Sequence, residues 1–362
     1  MNRKVVVKRL KKKEVGREIV ISDIHGNLSL YQRLLQKIDY KKGEDRLILL
    51  GDLVEKGPQN LQLVRFVMQQ VESEDVHCIT GNCDFVAKNI LYNYRLPFLK
   101  SVLSVRKNSL IHEMASEIGI EMDRMDMDEF AYALRKAFLK ELSFLNDLPH
   151  VIETETTIYA HAAIENEETF GDDFREVMAS PFFFTRPISF HKKVVVGHIP
   201  VSEYCDSIAR FDPLFDGTKN IYSIDGGNMV KSAGQLNALI FEKDHCMSVH
   251  IEDQPVYRVV RDVNPSIQIP FYINFNQGKI DVLEEQEQQA LVYSEHHHRQ
   301  FWIDRAFVKT FGNDLKGTDY TNYHMPLKKG EHVHVVFTYS NKAQVKKNGI
   351  LGWAFLEDLE PV

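Results

Sequence analysis

The sequence predicts an α/β (α+β) fold followed by a small β-rich domain, on three observations. Three short apolar runs, Ile19–Ile21, Arg46–Leu50 and Val76–Thr80, each end in a polar cluster, and the first two are followed by helical stripes. That alternation is the pattern of a parallel sheet with crossover helices. A β-rich stretch reopens at Val151 after a helical insertion at about 85–150. The character then changes near Asn264-Pro265-Ser266, and from about Gln268 only short strand-like runs remain. The expected domains are therefore 1–262, carrying the insertion, and 268–362.

Taken in order, Val5–Val7 reads as a first strand in a basic N-terminus that lacks the apolar stretch of a signal peptide. The run Ile19-Val20-Ile21 leads into Ser22-Asp23-Ile24-His25-Gly26-Asn27. Asp23 and His25 are two apart, so an extended chain would point both to one face. An oxygen and a nitrogen donor together suit a divalent transition metal. Tyr31, Leu34, Leu35 and Ile38 then lie on one helical stripe. The next strand ends in Gly51-Asp52-Leu53-Val54-Glu55-Lys56-Gly57, before the stripe Leu61, Val64, Val67, Met68 and Val71. The third ends in Gly81-Asn82-Cys83-Asp84. Asp23, Asp52 and Asn82 recur at about the length of one βαβ unit. In a parallel sheet this brings them side by side at one edge.

The insertion carries the stripe Phe130, Leu134, Phe138, Leu139, Leu142 and Leu145, read as a packing face. Beyond it, Thr157–Ala160 and Lys193–Val196 read as strands ending at His161 and Gly197-His198, each histidine beside a small residue. Tyr222 to Phe241 reads as strand, turn, strand. In the C-terminal part, Asn348-Gly349 between apolar runs is a hairpin signal, and several short strands suggest a barrel of roughly 90 residues. The triplet His296-His297-His298 reads as a solvated turn.

Composition narrows the function. A net charge of -7 over 362 residues argues against a general nucleic-acid binder. No apolar run is long enough to cross a bilayer. The four cysteines, Cys78, Cys83, Cys205 and Cys246, show no disulfide-scaffold or zinc-finger spacing, and reduced thiols in the cytoplasm are the expectation.

Two divalent metals about 4 Å apart need one bridging carboxylate with N and O ligands on either side. Asp23, His25, Asp52, Asn82, His161 and His198 are the candidates, with Asp52, on the middle strand of three, as the bridge. The set D-x-H-G, G-D-x-V-x-x-G, G-N-x-D, H-A and G-H resembles the calcineurin-like metallophosphoesterases. It is most similar to their phosphoprotein phosphatase branch, which includes bacterial diadenosine tetraphosphate hydrolases. The resemblance covers about residues 17–250, with Ile224-Asp225-Gly226-Gly227 and Gln235 to Leu239 similar to the ending of the bacterial members. It implies a two-sheet sandwich with helices on both outer faces, and the C-terminal part resembles an SH3-like barrel. It also implies two divalent ions, manganese first, with iron, zinc, nickel or cobalt as alternatives. Attack by a metal-bridging hydroxide on phosphate monoesters or nucleoside polyphosphates follows from it. The implied substrate is a phosphorylated small molecule, a nucleotide or a phosphoprotein, and the C-terminal domain would serve a protein partner. Asn82, Lys56 and Arg186, the last in Phe184-Thr185-Arg186-Pro187, would hold the substrate phosphate.

Three residues depart from the family pattern. Glu55-Lys56 stands where the family has Asp-Arg, and Cys83 where it has a histidine that protonates the leaving oxygen and is oriented by the next acid, here Asp84. Cys83 and Asp84 are thus the residues left for leaving-group chemistry. The alternative is a degenerate phosphoesterase that binds phosphorylated partners without hydrolysing them. An RNA-end phosphatase has little support from the acidic balance.

Overall fold

The computed structural model describes residues 3–265 and 269–362. They form two compact units, one running to Pro200 and including Asp212–Glu252, the other Val201–Phe211 with Asp253–Val362. Gln268, where the sequence reading opens its second domain, lies outside the described residues. The second unit also takes the stretches from Val201 and from Asp253.

The first unit runs β1 (Val7–Arg9), β2 (Glu18–Ile21), α1 (Leu28–Lys37), β3 (Arg46–Leu49), α2 (Asn60–Ser73) and β4 (Val76–Cys78). The insertion supplies α3 (Val86–Leu91), α4 (Leu96–Leu103), α5 (Leu110–Glu117) and α6 (Met127–Asp147). Then come β5 (Val151–Glu153), β6 (Thr157–Ala160), α7 (Phe174–Ala179), β7 (Lys193–Val196), β8 (Leu214–Asp216), β9 (Ile221–Ser223), β10 (Leu236–Glu242) and β11 (His245–Ile251). One sheet has the order β11-β10-β2-β3-β4 and the other β1-β5-β6-β7-β9-β8. β2, β3 and β4 are parallel and in step, Ile21 beside Leu49 and Leu49 beside Cys78. β6, β7 and β9 are parallel in the second sheet.

The strands read as unbroken apolar runs because both of their faces are buried. Ile19 and Ile21 pack toward α1, α2 and the insertion helices, while Val20 packs the opposite way, as a period of two requires. The layer holding Val20, Ile48, Leu50 and Ile79 also holds Ile152, Tyr159, Val195 and Tyr222. It is thus the interior between the two sheets, and helices cover the outer faces. At the start of α1 the Asn27 side chain accepts from Leu30 N (3.2 Å), which places the helix directly after the Asp23–His25 loop.

The stripe expected on α6 is broken. Phe138 has non-helical backbone angles (φ -124°, ψ 32°), and Leu139 is 57% exposed. The kink shifts the later half of the helix, so Leu142 and Leu145 stay buried while Leu139 leaves the packed face.

The second unit is all β. Its strands are β12 (Val256–Val259), β13 (Tyr272–Ile273), β14 (Ile280–Glu285), β15 (Gln289–Ser294), β16 (Arg299–Asp304), β17 (Val308–Phe311), β18 (Asp314–Gly317), β19 (Tyr320–Thr321), β20 (His332–Tyr339), β21 (Lys342–Lys347), β22 (Ile350–Phe355) and β23 (Leu359–Pro361). They pair as β22-β21-β20-β12-β23, β14-β15-β16, β13-β19 and β17-β18. Among the described residues no sheet closes on itself, so the unit is a set of separate short sheets and no closed barrel is found. The Asn348-Gly349 hairpin forms between Lys347 and Ile350, with φ of 49° and 68°, the left-handed pair a two-residue hairpin needs. The histidine triplet lies in the turn between β15 and β16, but His297 is half-buried. Its ring sits 5.7 Å from that of Phe271 and its Nδ1 3.0 Å from Ser294 Oγ. No helix among the described residues is long and apolar enough to cross a membrane.

Candidate metal centre

Backbone strain collects where the motif residues sit. Asp23, His25, Asp52, Glu55, Lys56 and His198 all have positive φ, between 49° and 76°. Such angles cost non-glycine residues energy and persist where surrounding contacts over-determine them. This corrects the expectation for Asp23 and His25. β2 ends at Ile21, and the two side chains converge through a left-handed loop, not through the alternation of an extended strand. Backbone bonds hold that loop to the next strand end: His25 N donates to Asp52 O (2.9 Å) and Gly26 N to Leu53 O (2.7 Å).

The six expected ligands come together around Asp52. Its Oδ2 lies 3.8 Å from His25 Nε2, and its Oδ1 3.4 Å from His161 Nε2. His25 Nε2 is also 3.8 Å from Asp23 Oδ1. His161 Nε2 is 3.2 Å from Asn82 Oδ1, and the His161 and His198 rings are 5.1 Å apart. The far nitrogens of two histidines face carbonyls, His25 Nδ1 to Val54 O at 3.3 Å and His161 Nδ1 to Leu50 O at 2.7 Å. That leaves both Nε2 atoms directed at the carboxylates, the arrangement that orients a metal-binding imidazole.

The glycines of G-N and G-H admit the carboxylates themselves. A Cβ on Gly81 would overlap Asp52 Oδ1, and one on Gly197 would overlap Asp23 Oδ2 and Ser22 Oγ. The space these two glycines leave is taken by oxygens of Asp52, Asp23 and Ser22.

The electrostatics ask for cations. Asp23, Asp52, Asp84 and Asp225 are each at most 2% exposed, and Lys56 supplies one positive charge against them. Burial raises the Asp23 pKa, and burial together with Asp23 pushes Asp225 well up. Burial, then Asp52, lifts Asp84 to about 7. Burial opposes ionisation of Asp52 as well, yet interaction with its neighbours, His161 first and then His25 and Lys56, outweighs it and holds its pKa low. Burial and Lys56 press His25 down to about 3, and burial and His161 press His198 down to about 4. Both imidazoles are thus neutral and ready to donate a lone pair. Asp23 Oδ1 and Asp225 Oδ2 are buried with no hydrogen-bond partner, a costly state that a bound cation relieves. Asp23, Asp52 and His161 form one group of donor atoms within 4.8 Å, and His25, Asp52 and Cys83 form another. Two divalent ions sharing Asp52 fit these residues.

The remaining expected residues fare differently. Lys56 Nζ lies 2.9 Å from His25 Nε2, inside the site. Arg186 donates to Ser180 Oγ and to the Pro181 carbonyl, and it makes no hydrogen bond or ion pair with the acids or histidines above. The Cys83 thiol is buried, and burial and Asp52 push its pKa well up. Asp84 has its oxygens taken by backbone: Oδ1 accepts from Leu53 N (2.9 Å) and Val54 N (3.2 Å), and Oδ2 from Gly81 N (2.8 Å). It ties the loop after β3 to the loop after β4. We therefore expect Asp84→Asn to destabilise the fold by about 1–3 kcal/mol, since an amide cannot serve all three donors. Urea unfolding checks this, and a loss under about 0.5 kcal/mol would show that the clasp is not holding.

The roles of several residues escaped the sequence reading. Asp225 was noted only inside a motif. Asn228 donates to Ile24 O (2.8 Å) and so braces the Asp23–His25 loop. Glu55, fully buried, accepts from Ser109 Oγ (2.7 Å) and Leu110 N (3.1 Å) and pairs with Arg106, fastening α5 to the loop that carries Lys56. The sequence marks Glu55 as a departure from the motif, but its partners lie 54 and 55 positions further on, which no local pattern reports.

The sequence model of the calcineurin-like phosphoesterase family matches residues 17–212. A symmetrical bis(5'-nucleosyl)-tetraphosphatase of Chromobacterium violaceum is 44% identical over 64 residues, 18% of this chain and 22% of that protein. One of Erwinia tasmaniensis is 30% identical over 145 residues, 40% of this chain and 43% of that protein. The chain thus spans less than half the length of these curated relatives. Among solved structures, one described as a putative diadenosine tetraphosphatase aligns with 68% of this chain and 98% of its own, at TM-score 0.41 and 20% identity. A Saccharomyces cerevisiae protein serine/threonine phosphatase with similarity to human phosphatase PP5 aligns with 70% of this chain and 84% of its own, at TM-score 0.44 and 10% identity.

Proposed function

This chain belongs to the calcineurin-like phosphoesterase family, and from that membership we propose that it is a dinuclear-metal phosphoesterase acting on nucleoside polyphosphates or other phosphate esters with good leaving groups. The observation that carries the reading is the convergence of three parallel strand ends from one sheet and two from the other on a single buried carboxylate, Asp52. When bound, two divalent ions lower the pKa of a shared water so that it attacks near neutral pH, and they neutralise the phosphoryl oxygens. Asp23, His25 and Asp52 would hold one ion, and Asp52, Asn82, His161 and His198 the other. Both sets are O and N donors, for which manganese is the first choice, with iron, zinc, nickel or cobalt as alternatives.

The chain's own residues do the rest. The Leu50 and Val54 carbonyls keep His161 and His25 in the orientation that offers Nε2. Lys56 Nζ and a bound cation cannot both use His25 Nε2. With His25 Nε2 given to an ion, the Lys56 ammonium would be free to take a phosphate oxygen as a point charge, without arginine's two-pronged grip. Asn82, exposed beside His161, can reach the same phosphate. Arg186 joins only by leaving Ser180 and the Pro181 carbonyl.

Curated relatives named as dinucleoside tetraphosphatases support a nucleotide substrate, and the absence of a histidine at position 83 supports one whose leaving group needs no acid. The test is a panel of a symmetrical dinucleoside tetraphosphate, p-nitrophenyl phosphate and serine phosphopeptides, assayed with Mn²⁺ after chelation. Cleavage of the first two well above the third is expected. No turnover of any member by the metal-loaded protein would favour the degenerate, phosphate-binding alternative.

For the C-terminal unit we propose an SH3-like module for a protein partner, working in the cytoplasm. Short antiparallel strands support the module, and four free cysteines support the compartment. Two clefts in this unit share Gln289, His324 and Lys342, and one is lined by half-buried Phe301 and exposed Trp302. Trp302→Ala should lower turnover of a phosphoprotein and leave that of p-nitrophenyl phosphate unchanged. Equal loss on both would reject docking there.

A further inference from the structure

Cys83 is where the chain departs most from its family pattern, and its sulfur lies among donor atoms. Cys83 Sγ, a His25 ring nitrogen and an Asp52 carboxylate oxygen are all within 4.8 Å of one another, and all three residues are buried. The Cys83 backbone is pinned there, with its N–H donating to Asp52 Oδ1 at 2.8 Å. A fourth donor stands beside His25, because Asp23 Oδ1 is buried without a hydrogen-bond partner and lies 3.8 Å from His25 Nε2. Around a four-coordinate ion with bonds of about 2.0–2.3 Å, neighbouring donors sit roughly 3.3–3.8 Å apart. The Asp23–His25 and His25–Asp52 pairs, at 3.8 Å each, already stand near that spacing.

We propose that Cys83 is a thiolate ligand of the ion held by Asp23, His25 and Asp52. The claim rests on the dinuclear reading above and deepens it. On binding, the S–H bond breaks, its proton leaves to solvent and the sulfur lone pair takes the metal. A site with one sulfur, one nitrogen and two carboxylates selects a thiophilic ion such as Zn²⁺, Fe²⁺ or Co²⁺ over Mn²⁺. The two halves of the centre then differ in softness, and Cys83 has no proton to give a leaving group. Cys78, Cys205 and Cys246 fall in no group of metal-capable side chains among the described residues, so a sulfur signature would report Cys83.

The full chain is stripped with chelator and reloaded with Co²⁺, and metal content is measured by mass spectrometry beside the absorption spectrum. Two cobalt ions per chain with a thiolate-to-cobalt charge-transfer band in the near ultraviolet are expected. Cys83→Ser should abolish the band and release one proton fewer on metal binding. It should also weaken zinc at one of the two sites by at least roughly tenfold, a ligand being worth no less than an outer-shell partner. Two cobalt ions without the band would overturn the proposal and leave the dinuclear centre standing. Less than one ion per chain would overturn both. Should Cys83→Ser fail to fold, X-ray absorption of the zinc-loaded natural chain decides. A sulfur neighbour at about 2.3 Å supports the ligand, and a shell of N and O alone overturns it.

Discussion

Asp52→Asn is expected to abolish turnover, by on the order of 10³-fold or more, and to release at least one of the two ions. The magnitude follows from the several kcal/mol that a bound metal contributes to neutralising a phosphoryl transition state, each 1.36 kcal/mol being tenfold. Asp52 is where both halves of the centre meet, with Oδ1 near His161 and Oδ2 near His25. A neutral amide attracts two cations poorly, and its nitrogen has no free lone pair to donate to them. The Asp52 pKa is held low in the metal-free fold, so its charge stabilises that fold at neutral pH, and the metal-free variant should melt below the metal-free natural chain. Metal content by mass spectrometry, a melting curve with chelator and the rate on p-nitrophenyl phosphate together check this. Two ions retained with activity intact would reject Asp52 as the bridge.

A steep dependence on the leaving group is the second large effect expected. General-acid help is typically worth on the order of 10²–10⁴-fold. Cys83 cannot supply it, whether as a buried thiol of high pKa or as a metal ligand. Asp84 cannot either, because its oxygens accept three backbone N–H groups. Aryl phosphates and pyrophosphate bonds should therefore be cleaved faster than serine phosphate by a factor of that order. A plot of log rate against leaving-group pKa measures it. A flat plot, with chemistry shown to be rate-limiting, would mean that a proton reaches the leaving oxygen from elsewhere. Cys83→His should flatten the plot by restoring an imidazole at that position, and a variant that holds its metals but keeps the natural slope would count against the argument.

The six candidate ligands were legible in the chain because each lies just past an apolar strand at a spacing that a parallel sheet converts into adjacency. Asp52 was readable as the central one, since its strand is flanked by β2 and β4. The helical insertion, the Asn348-Gly349 hairpin and the β-rich end were legible for the same reason, as local backbone preference and side-chain period carried them. Other features lay outside that reach. The chain does not say that Asp23 and His25 meet through left-handed backbone, because no local preference favours such angles for those residues, and only the bonds to Asp52 O and Leu53 O impose them. Nor does it say that Asp84 is occupied by backbone, that Arg186 faces Ser180, or that Leu139 leaves its stripe at a kink.

By itself, then, the sequence determined which residues stand at strand ends and which chemistry they can offer, because those depend on residue type and on a period a few residues long. The tertiary structure alone decided that His161 and His198, from a second sheet, face Asp23, Asp52 and Asn82 from the first. That depends on the packing of Val20, Ile48, Tyr159 and Val195 between the sheets, which are contacts between residues more than a hundred positions apart. The same packing removes water from four acids at once. The cation demand of the site is therefore a property of the assembled core and is carried by none of its motifs singly.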